Sequence, residues 1–91
     1  MTIKISKWNY VGNGQDNCLA VEIGDLNFYF YYETIIAFKN QDGLQISKNV
    51  WSKTTGKYLN AINPDKNIRL EYKEFLESLE KCLNEHNLVI G

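Results

Sequence analysis

The fold is decided by one stretch of the sequence, CLAVEIGDLNFYFYY (Cys18–Tyr32), in which apolar residues occupy every second position on both sides of a short turn. Those residues are Leu19, Val21 and Ile23 before the turn and Leu26, Phe28, Phe30 and Tyr32 after it. Alternation of this kind is typical of a half-buried strand. Gly24 and Asp25 form a glycine-led, two-residue turn of the type that β-hairpins prefer. The stretch therefore predicts an antiparallel hairpin.

The turn also predicts the register of this hairpin. Placing Ile23 opposite Leu26 brings each apolar residue of one arm opposite an apolar residue of the other. One face of the ribbon is then wholly apolar, and we expect it to lie against the core. The other face carries Cys18, Ala20, Glu22, Asn27, Tyr29 and Tyr31. We expect this second face, with its tyrosines, to be exposed.

A second hairpin is predicted over residues 34–50. Pairing Phe38 with Leu44, and Ile36 with Ile46, aligns the apolar positions across a loop of about five residues, a length that hairpins often use. This hairpin would add two strands to the sheet.

The N-terminal segment completes the predicted sheet. Ile3 and Ile5 alternate with polar neighbours, which is typical of a strand at a sheet edge. This strand would end at residues 12–14, the turn-prone sequence Gly-Asn-Gly. Together the segments predict an antiparallel β-meander of about five strands.

The rest of the sequence has helical periodicity. Ser52 is a good N-cap for a short helix, and Asn63 ends it because the residue before Pro64 disfavours helical geometry. The apolar stripe of this helix is Thr55, Tyr58, Leu59 and Ile62. A longer helix ends at Asn87, and its stripe is Tyr72, Phe75, Leu76, Leu79, Cys82, Leu83 and His86. We therefore predict an α+β fold with both helices packed on one face of the meander.

Composition limits the class of protein. The chain has 91 residues, of which 44% are hydrophobic, and it contains one proline, so we expect a single domain over residues 1–91. A net charge of −1 excludes a generally basic coat for nucleic acid. Lys4 and Lys7 interrupt the apolar N-terminus, and no segment reaches membrane-spanning length. We expect a cytoplasmic protein with no membrane partner.

The residues that could carry catalysis or bind a metal are few. His86 is the one histidine, so a nucleophile has no obvious base and orienting group. Cys82 and His86 are one helical turn apart and Cys18 could join them, but a fourth zinc ligand is missing. Because Cys82 also fits the core stripe, we predict two reduced core cysteines, with a disulfide as the minority alternative. We predict no catalytic residue, no metal and no cofactor, and therefore not an enzyme.

Thr54-Thr55-Gly56-Lys57 is the segment that most invites a phosphate-binding interpretation. It is not a Walker motif, because the positions that require glycine and a hydroxyl residue hold Trp51 and Tyr58. The start of a helix nevertheless favours anions, so a phosphate site at Thr54, Thr55, Gly56 and Lys57 remains an alternative. The structural interpretation is that Ser52 caps the helix, Thr55 packs, and Gly56 permits close approach of another backbone.

The charge pattern suggests two interaction surfaces. Residues 39–69 carry six basic residues against Asp42 and Asp65. With Tyr29, Tyr31 and Trp51, this basic region is a candidate stacking platform for single-stranded nucleic acid, although no known RNA- or DNA-binding motif is present. The long helix has an acidic outer face that is a candidate for a basic partner, and its glutamates are Glu71, Glu74, Glu77, Glu80 and Glu85.

Three segments carry a resemblance to known proteins: YETIIAF (Tyr32–Phe38), the DGL turn that follows, and NVWSKTTGKYLN (Asn49–Asn60). Together they resemble a family of small proteins of unknown function that occur in phages and other mobile elements. That family often has histidine where this chain has Tyr58. The resemblance covers the middle third of the chain.

The resemblance implies a protein that occludes or sequesters a host target, as anti-CRISPR and other anti-defence proteins do. We expect a non-enzymatic inhibitor of a host protein or protein–nucleic-acid complex that acts in the host cytoplasm, as a monomer or as a homo-oligomer. Its expected partner-binding residues are Tyr29, Tyr31, Trp51, Lys53, Thr54, Lys57 and Tyr58. The alternative is a nucleotide or single-stranded nucleic-acid binder that uses the segment from Thr54 to Lys57.

Overall fold

Five strands are followed by two helices in the computed structural model, which describes residues 3–7, 18–86 and 88. The elements are β1 (Ile3–Lys7), β2 (Cys18–Ile23), β3 (Leu26–Tyr31), β4 (Thr34–Asn40), β5 (Gly43–Ile46), α1 (Lys53–Ile62) and α2 (Tyr72–Glu85). The strands form one antiparallel sheet in the order β1-β2-β3-β4-β5. The predicted α+β class and five-stranded meander are confirmed.

The first hairpin has the predicted register. Ile23 pairs with Leu26 and Val21 with Phe28. Gly24 has a φ of 58°, in the left-handed region that glycine enters without a steric penalty. The alternation and the turn residue are both local features, and in this segment they agree.

The second hairpin differs from its prediction. We expected Phe38 opposite Leu44 and Ile36 opposite Ile46. Instead Ile46 lies opposite Ala37, which shifts the register by one residue. A two-residue turn at residues 41–42 replaces the expected loop.

A separate irregularity, a β-bulge, lies where β4 pairs with β3. Tyr29 pairs with Ala37, but the next residue, Phe30, pairs with Ile35, so Ile36 is the extra residue in β4. Ile36 and Ala37 both contact the same buried cluster. Simple alternation along β4 is broken at this point, and Phe38 faces the opposite side of the sheet from Ile36.

The two helices lie on opposite faces of the sheet, which corrects the expectation of one shared face. On one face, here called the α1 face, the buried residues are Cys18, Ala20, Ile36, Ala37, Ile46, Tyr58 and Leu59. On the other, the α2 face, they are Leu26, Phe28, Phe38, Phe75, Leu79 and Cys82. The described elements therefore form three layers, with the sheet in the middle.

Small residues explain why α1 can cover the face that we expected to be open. The small side chains of Cys18, Ala20 and Ala37 leave a shallow depression in this face of the sheet. All three residues are buried. Leu59 of α1 fills this space and is itself 0% exposed. A sheet face of small residues accepts a helix as readily as a face of large ones, provided that the helix supplies the volume.

The chain crosses from one face to the other around the β5 edge. Ser47 forms a parallel bridge with Leu70: Lys48 N–H donates to Leu70 O at 2.8 Å, and Leu70 N–H donates to Ile46 O at 2.8 Å. The Lys48 ammonium also pairs with the Glu71 carboxylate. These contacts hold the segment between α1 and α2 against the sheet.

Both ends of α1 lie where the sequence predicted them. Ser52 caps α1 as predicted, since its hydroxyl accepts a hydrogen bond from Thr55 N–H at 3.3 Å. α1 ends at Ile62, before Asn63 and Pro64, also as predicted. α2 ends at Glu85, and its predicted end at Asn87 lies outside the described residues, as does the predicted turn at residues 12–14.

The first strand is at the sheet edge, as predicted. β1 pairs with β2 on one side, with Ile3 opposite Ile23 and Ile5 opposite Val21. Ile3 is 60% exposed and Ile5 is 63% exposed.

Candidate functional site

The tyrosine face is an interface with α1, and this corrects the expectation that it is open. The Tyr31 and Tyr58 ring centroids are 4.5 Å apart. Tyr58 is only 7% exposed, while Tyr29 and Tyr31 are half-buried and pack against the same cluster. Burial, followed by the neighbouring Tyr32 and Tyr58, raises the pKa of the Tyr31 hydroxyl. Of these three tyrosines, Tyr58 has the least surface left for a partner.

A groove remains at the end of the sheet where β3 turns into β4. Its volume is about 200 Å³, and it is lined by Tyr31, Tyr32, Thr34, Ile36, Trp51 and Thr55. We call it the aromatic groove. It brings together Tyr31 from the predicted tyrosine face and Trp51 from the predicted helix-start segment, which lie 20 residues apart in the sequence.

Tyr32 is the groove residue that the sequence analysis misplaced. We assigned it to the apolar alternation of the β3 strand, but it lies in the two-residue turn between β3 and β4, and it is 59% exposed. Its φ is 56°, and its ring is 4.7 Å from that of Tyr31 in an edge-on arrangement. The sequence carries no signal for this turn, because Tyr32 and Glu33 are not the glycine, asparagine or aspartate that two-residue turns prefer.

Trp51 forms one wall of the groove and also links the two helical layers. Its ring centroid lies 5.4 Å from that of Tyr72, the first residue of α2, in an edge-on arrangement. Its backbone N–H donates to Asn49 Oδ1 at 3.0 Å. These contacts fix the indole at the rim, where it is half-buried.

The segment from Thr54 to Lys57 is only partly available to a ligand. The Thr55 hydroxyl lies 3.3 Å from that of Ser52, and Thr55 is 4% exposed. Gly56 N–H donates to Ser52 O at 3.0 Å within the helix. Two of the four residues proposed for phosphate are therefore occupied by capping and packing, which leaves Thr54 and Lys57 exposed.

Gly56 permits a close approach, as predicted, but the neighbour is a side chain. A Cβ at this position would lie 3.0 Å from Asn49 Nδ2, an amide that donates to Ser52 O at 2.7 Å. The glycine therefore makes room for the loop that precedes α1. This is a structural role.

The two outer layers carry opposite charge. Residues 43–64, which include β5 and α1, contain three lysines and no acidic residue. Lys53 and Lys57 are exposed on α1, while Lys48 pairs with Glu71. α2 carries four glutamates and two lysines. Because the helices lie on opposite faces, the exposed outer surface of α1 is basic and that of α2 is acidic.

A second groove, of about 360 Å³, lies at the other end of the sheet. It is lined by Ile23, Gly24, Asp25, Leu26, Asn40, Gln41, Asp42, Glu85, His86 and Leu88. Within the described ranges no group of three histidine, cysteine or acidic side chains is arranged to hold a metal ion. His86 caps a carbonyl at the end of α2, since its Nδ1 lies 2.8 Å from Cys82 O.

The two cysteines lie in different clusters on opposite sides of the sheet, and both are free thiols. Burial raises the pKa of the Cys18 thiol to about 11 and also raises that of Cys82. Thiolates are the reactive form of cysteine, so neither thiol is poised as a nucleophile. Cys82 packs in the core as its position in the helical stripe predicted.

The raised pKa of Cys18 predicts a loss of stability in alkali. The unfolded chain releases this proton near its ordinary value of 9.0, whereas the folded chain holds it until about pH 11. Stability from this group is therefore complete below pH 9 and falls as the pH rises toward 11. Urea midpoints measured from pH 8 to 11 should fall less steeply for Cys18→Ala than for the wild type. Parallel curves would contradict the assignment.

Comparison with known proteins places the chain in a family. A model described as a family of unknown function, DUF8033, matches residues 5–78, which is more than half of the chain, and so the chain belongs to this family. The match includes β2 to β5, α1 and every residue of the aromatic groove. No curated protein and no solved structure matches the chain. Across the described helices, none is long and apolar enough to cross a membrane.

Proposed function

We propose that this member of the DUF8033 family is a non-enzymatic binding protein that engages a protein partner through the basic, groove-bearing side of the molecule. The observation that carries the proposal is the aromatic groove, on the same layer as α1, whose outer surface carries the exposed Lys53 and Lys57. Aromatic residues in a partly desolvated pocket commonly dominate binding energy, and charges at the rim guide the approach of a partner.

The absence of an active-site constellation supports a binding role over catalysis. Among the described residues, the histidine imidazole is engaged with the Cys82 carbonyl and both cysteine thiols are buried with raised pKa values. The described residues that line the aromatic groove include no carboxylate, cysteine or histidine. These residues can bind a side chain through apolar and aromatic contacts, but they supply no group suited to acid–base or nucleophilic chemistry at neutral pH.

The biological setting is proposed from the sequence resemblance described above. That resemblance implies a small protein of phages or mobile elements that occludes or sequesters a host component. We therefore propose an inhibitor of the anti-CRISPR or other anti-defence type, acting in the cytoplasm of the host. The target would be a host protein or a protein–nucleic-acid complex whose contact surface is acidic.

The alternative, a nucleotide or single-stranded nucleic-acid binder, has weaker support. Thr55 and Gly56 both form hydrogen bonds with Ser52 in the helix cap, and Lys48 is paired with Glu71. Lys53 and Lys57 would neutralise about two phosphates, which gives a much weaker electrostatic contribution than about 6–10 phosphate contacts do. The geometry favours a protein partner.

Charge reversal on α1 tests the proposed surface. Lys53→Glu combined with Lys57→Glu should weaken capture of a host protein by at least about tenfold, because it places like charges against an acidic partner. The measurement is a pull-down from host lysate followed by affinity titration with the captured protein.

A matched control changes the net charge equally on the far side of the molecule. Lys73→Glu combined with Lys81→Glu alters two exposed lysines of α2. We expect this variant to bind like the wild type. If the α2 variant loses capture and the α1 variant keeps it, the binding surface lies on the α2 side and the proposal is overturned.

A further inference from the structure

The two edges of the sheet differ in how they are covered. At the β5 edge, Leu70 continues the pairing through two backbone hydrogen bonds of 2.8 Å, one with Ile46 and one with Lys48. At the other edge, β1 pairs with β2 on its inner side, and among the described residues no segment pairs with its outer side. An unpaired row of N–H and C=O groups is a template for pairing with another chain.

The side chains of β1 are as open as its edge. Ile3 is 60% exposed and Ile5 is 63% exposed. Both lie on the α2 face, because Ile3 is opposite Ile23, which packs against the α2 cluster, and residues two apart in a strand share a face. Neither isoleucine packs against that cluster. α2 therefore does not cover β1, and both side chains are in contact with solvent.

Large apolar residues on an open edge are a liability that soluble proteins normally avoid, because such edges pair readily with other strands. The usual safeguards are charged residues, proline or a covering segment. β5 has a covering segment, whereas β1 has two exposed isoleucines on one face and the exposed Lys4 on the other. This combination indicates an edge that pairs with one particular strand.

Lys4 limits the registers in which two β1 strands can pair. In an antiparallel pair centred on Lys4, the two ammonium groups would lie directly opposite each other and repel. In a pair centred on Ile5, each Ile5 meets the same residue of the other copy, and each Lys4 is opposite residue 6 of the other copy, a serine. This register also uses all five residues of β1.

We propose that β1 pairs with β1 of a second copy of this chain, antiparallel and centred on Ile5, so that the two five-stranded sheets become continuous. The pair has two-fold symmetry, the commonest symmetry of homodimers, and it leaves neither β1 edge open. Isoleucines meet on the α2 face, and the outer surfaces of both α1 helices lie together on the other side. The inference does not depend on the proposed function, because β1 and the outer surface of α1 are separate parts of the molecule.

The strength of the pair follows from its size. A five-residue strand edge is smaller than the roughly 1,200–2,000 Å² interfaces of stable complexes, so we expect a dimer that exchanges with the monomer at micromolar concentrations. Two α1 surfaces on one side would then allow bivalent attachment to a partner that carries two sites.

Sedimentation velocity of the purified protein, from about 1 µM to about 1 mM, measures the association. We expect the mass to rise from that of one chain toward that of two. Ile5→Asp places two carboxylates opposite each other and should weaken association by at least about tenfold. Leu76→Asp, at an exposed residue of α2, is the matched control and should associate like the wild type. A wild type that stays monomeric, or an Ile5→Asp variant that associates equally well, would overturn the inference.

Cysteine substitution tests the register and does not require a charge in the strand. In the proposed pair the two Cα atoms of residue 5 are about 4.5–5.5 Å apart, which a disulfide can span. The two copies of residue 4 lie on a diagonal of about 7–8 Å, which it cannot span without backbone movement. Mild oxidation should therefore link Ile5→Cys into covalent dimers and leave Lys4→Cys largely unlinked, while the native thiols, Cys18 and Cys82, are buried. Equal linking of the two variants would contradict the register.

Failure here is distinguishable from failure of the proposed function. Lys53→Glu combined with Lys57→Glu should leave association of the purified protein unchanged, whatever it does to capture of a host protein. If the wild type is monomeric and Ile5→Asp abolishes capture, the β1 edge accepts a strand of the partner, and the second copy is the wrong occupant.

Discussion

Replacing Phe38 with alanine is expected to lower the free energy of unfolding by about 3–5 kcal/mol. Phe38 is 0% exposed, and its ring lies 6.3 Å from that of Phe28 and 5.7 Å from that of Phe75. It is therefore one of the side chains that connect the sheet to α2. Domains of ordinary stability have about 5–15 kcal/mol in total, so this loss would leave much of the protein near its unfolding midpoint.

The measurement is urea denaturation followed by far-ultraviolet circular dichroism, with Lys39→Ala as the control. Lys39 is the next residue in β4 and is exposed, so its truncation should change stability by less than about 0.5 kcal/mol. A loss below about 1 kcal/mol for Phe38→Ala would mean that α2 is held by other contacts.

The first hairpin could be predicted because its determinants are adjacent in the sequence. Gly24 fixes the turn, and the turn fixes the register of Leu26 against Ile23. The second hairpin could not be predicted in the same way. The bulge at Ile36 arises from the pairing of β4 with β3, and a single inserted residue reverses the side on which every later residue lies.

The sequence pattern also could not predict which side of the sheet each helix covers. An apolar stripe predicts that a helix packs, but it does not say against which face. Cys18 and Ala20 gave no strong signal, because small residues occur both in cores and on surfaces. The structure shows that they are buried by α1, and this contact covers the tyrosine face that was expected to be open.

Several residues of the candidate site were predicted from the sequence, but the groove that they form was not. Trp51, Lys53 and Tyr31 were identified from residue type and charge, and the structure places Tyr31 and Trp51 in one groove. Tyr32 was missed because a tyrosine is an unusual first residue for a two-residue turn. Tyr58 was selected as a contact residue, but it is buried beneath Tyr31, so its contribution is to support the groove.

The opposite placement of the helices is what gives the molecule its charge asymmetry. With both helices on one face, the lysines of α1 would lie beside the glutamates of α2 and offset them. With the sheet between them, Lys53 and Lys57 form a basic patch on the outer surface of α1, and the acidic residues of α2 lie on the other side of the molecule. A partner that approaches the outer surface of α1 therefore meets positive charge that the glutamates of α2 do not offset.

Replacing Leu59 with alanine is expected to lower the free energy of unfolding by about 2–5 kcal/mol and to loosen α1. α1 has 10 residues, fewer than the roughly 12–15 that an isolated helix needs, so its stability depends on packing. Leu59 is 0% exposed on the α1 face. Leu76→Ala, the same change at a residue that is 42% exposed on α2, is the control and should cost less than about 1 kcal/mol.

A double-mutant cycle then tests whether the sheet separates the two clusters. Ile46→Val lies on the α1 face and Phe75→Leu on the α2 face, and both are mild enough to keep the protein folded. Residues that share no partner should have additive effects to within about 0.3–0.5 kcal/mol. A coupling above about 1 kcal/mol would require the two side chains to share one core, which is the arrangement in which both helices lie on the same face.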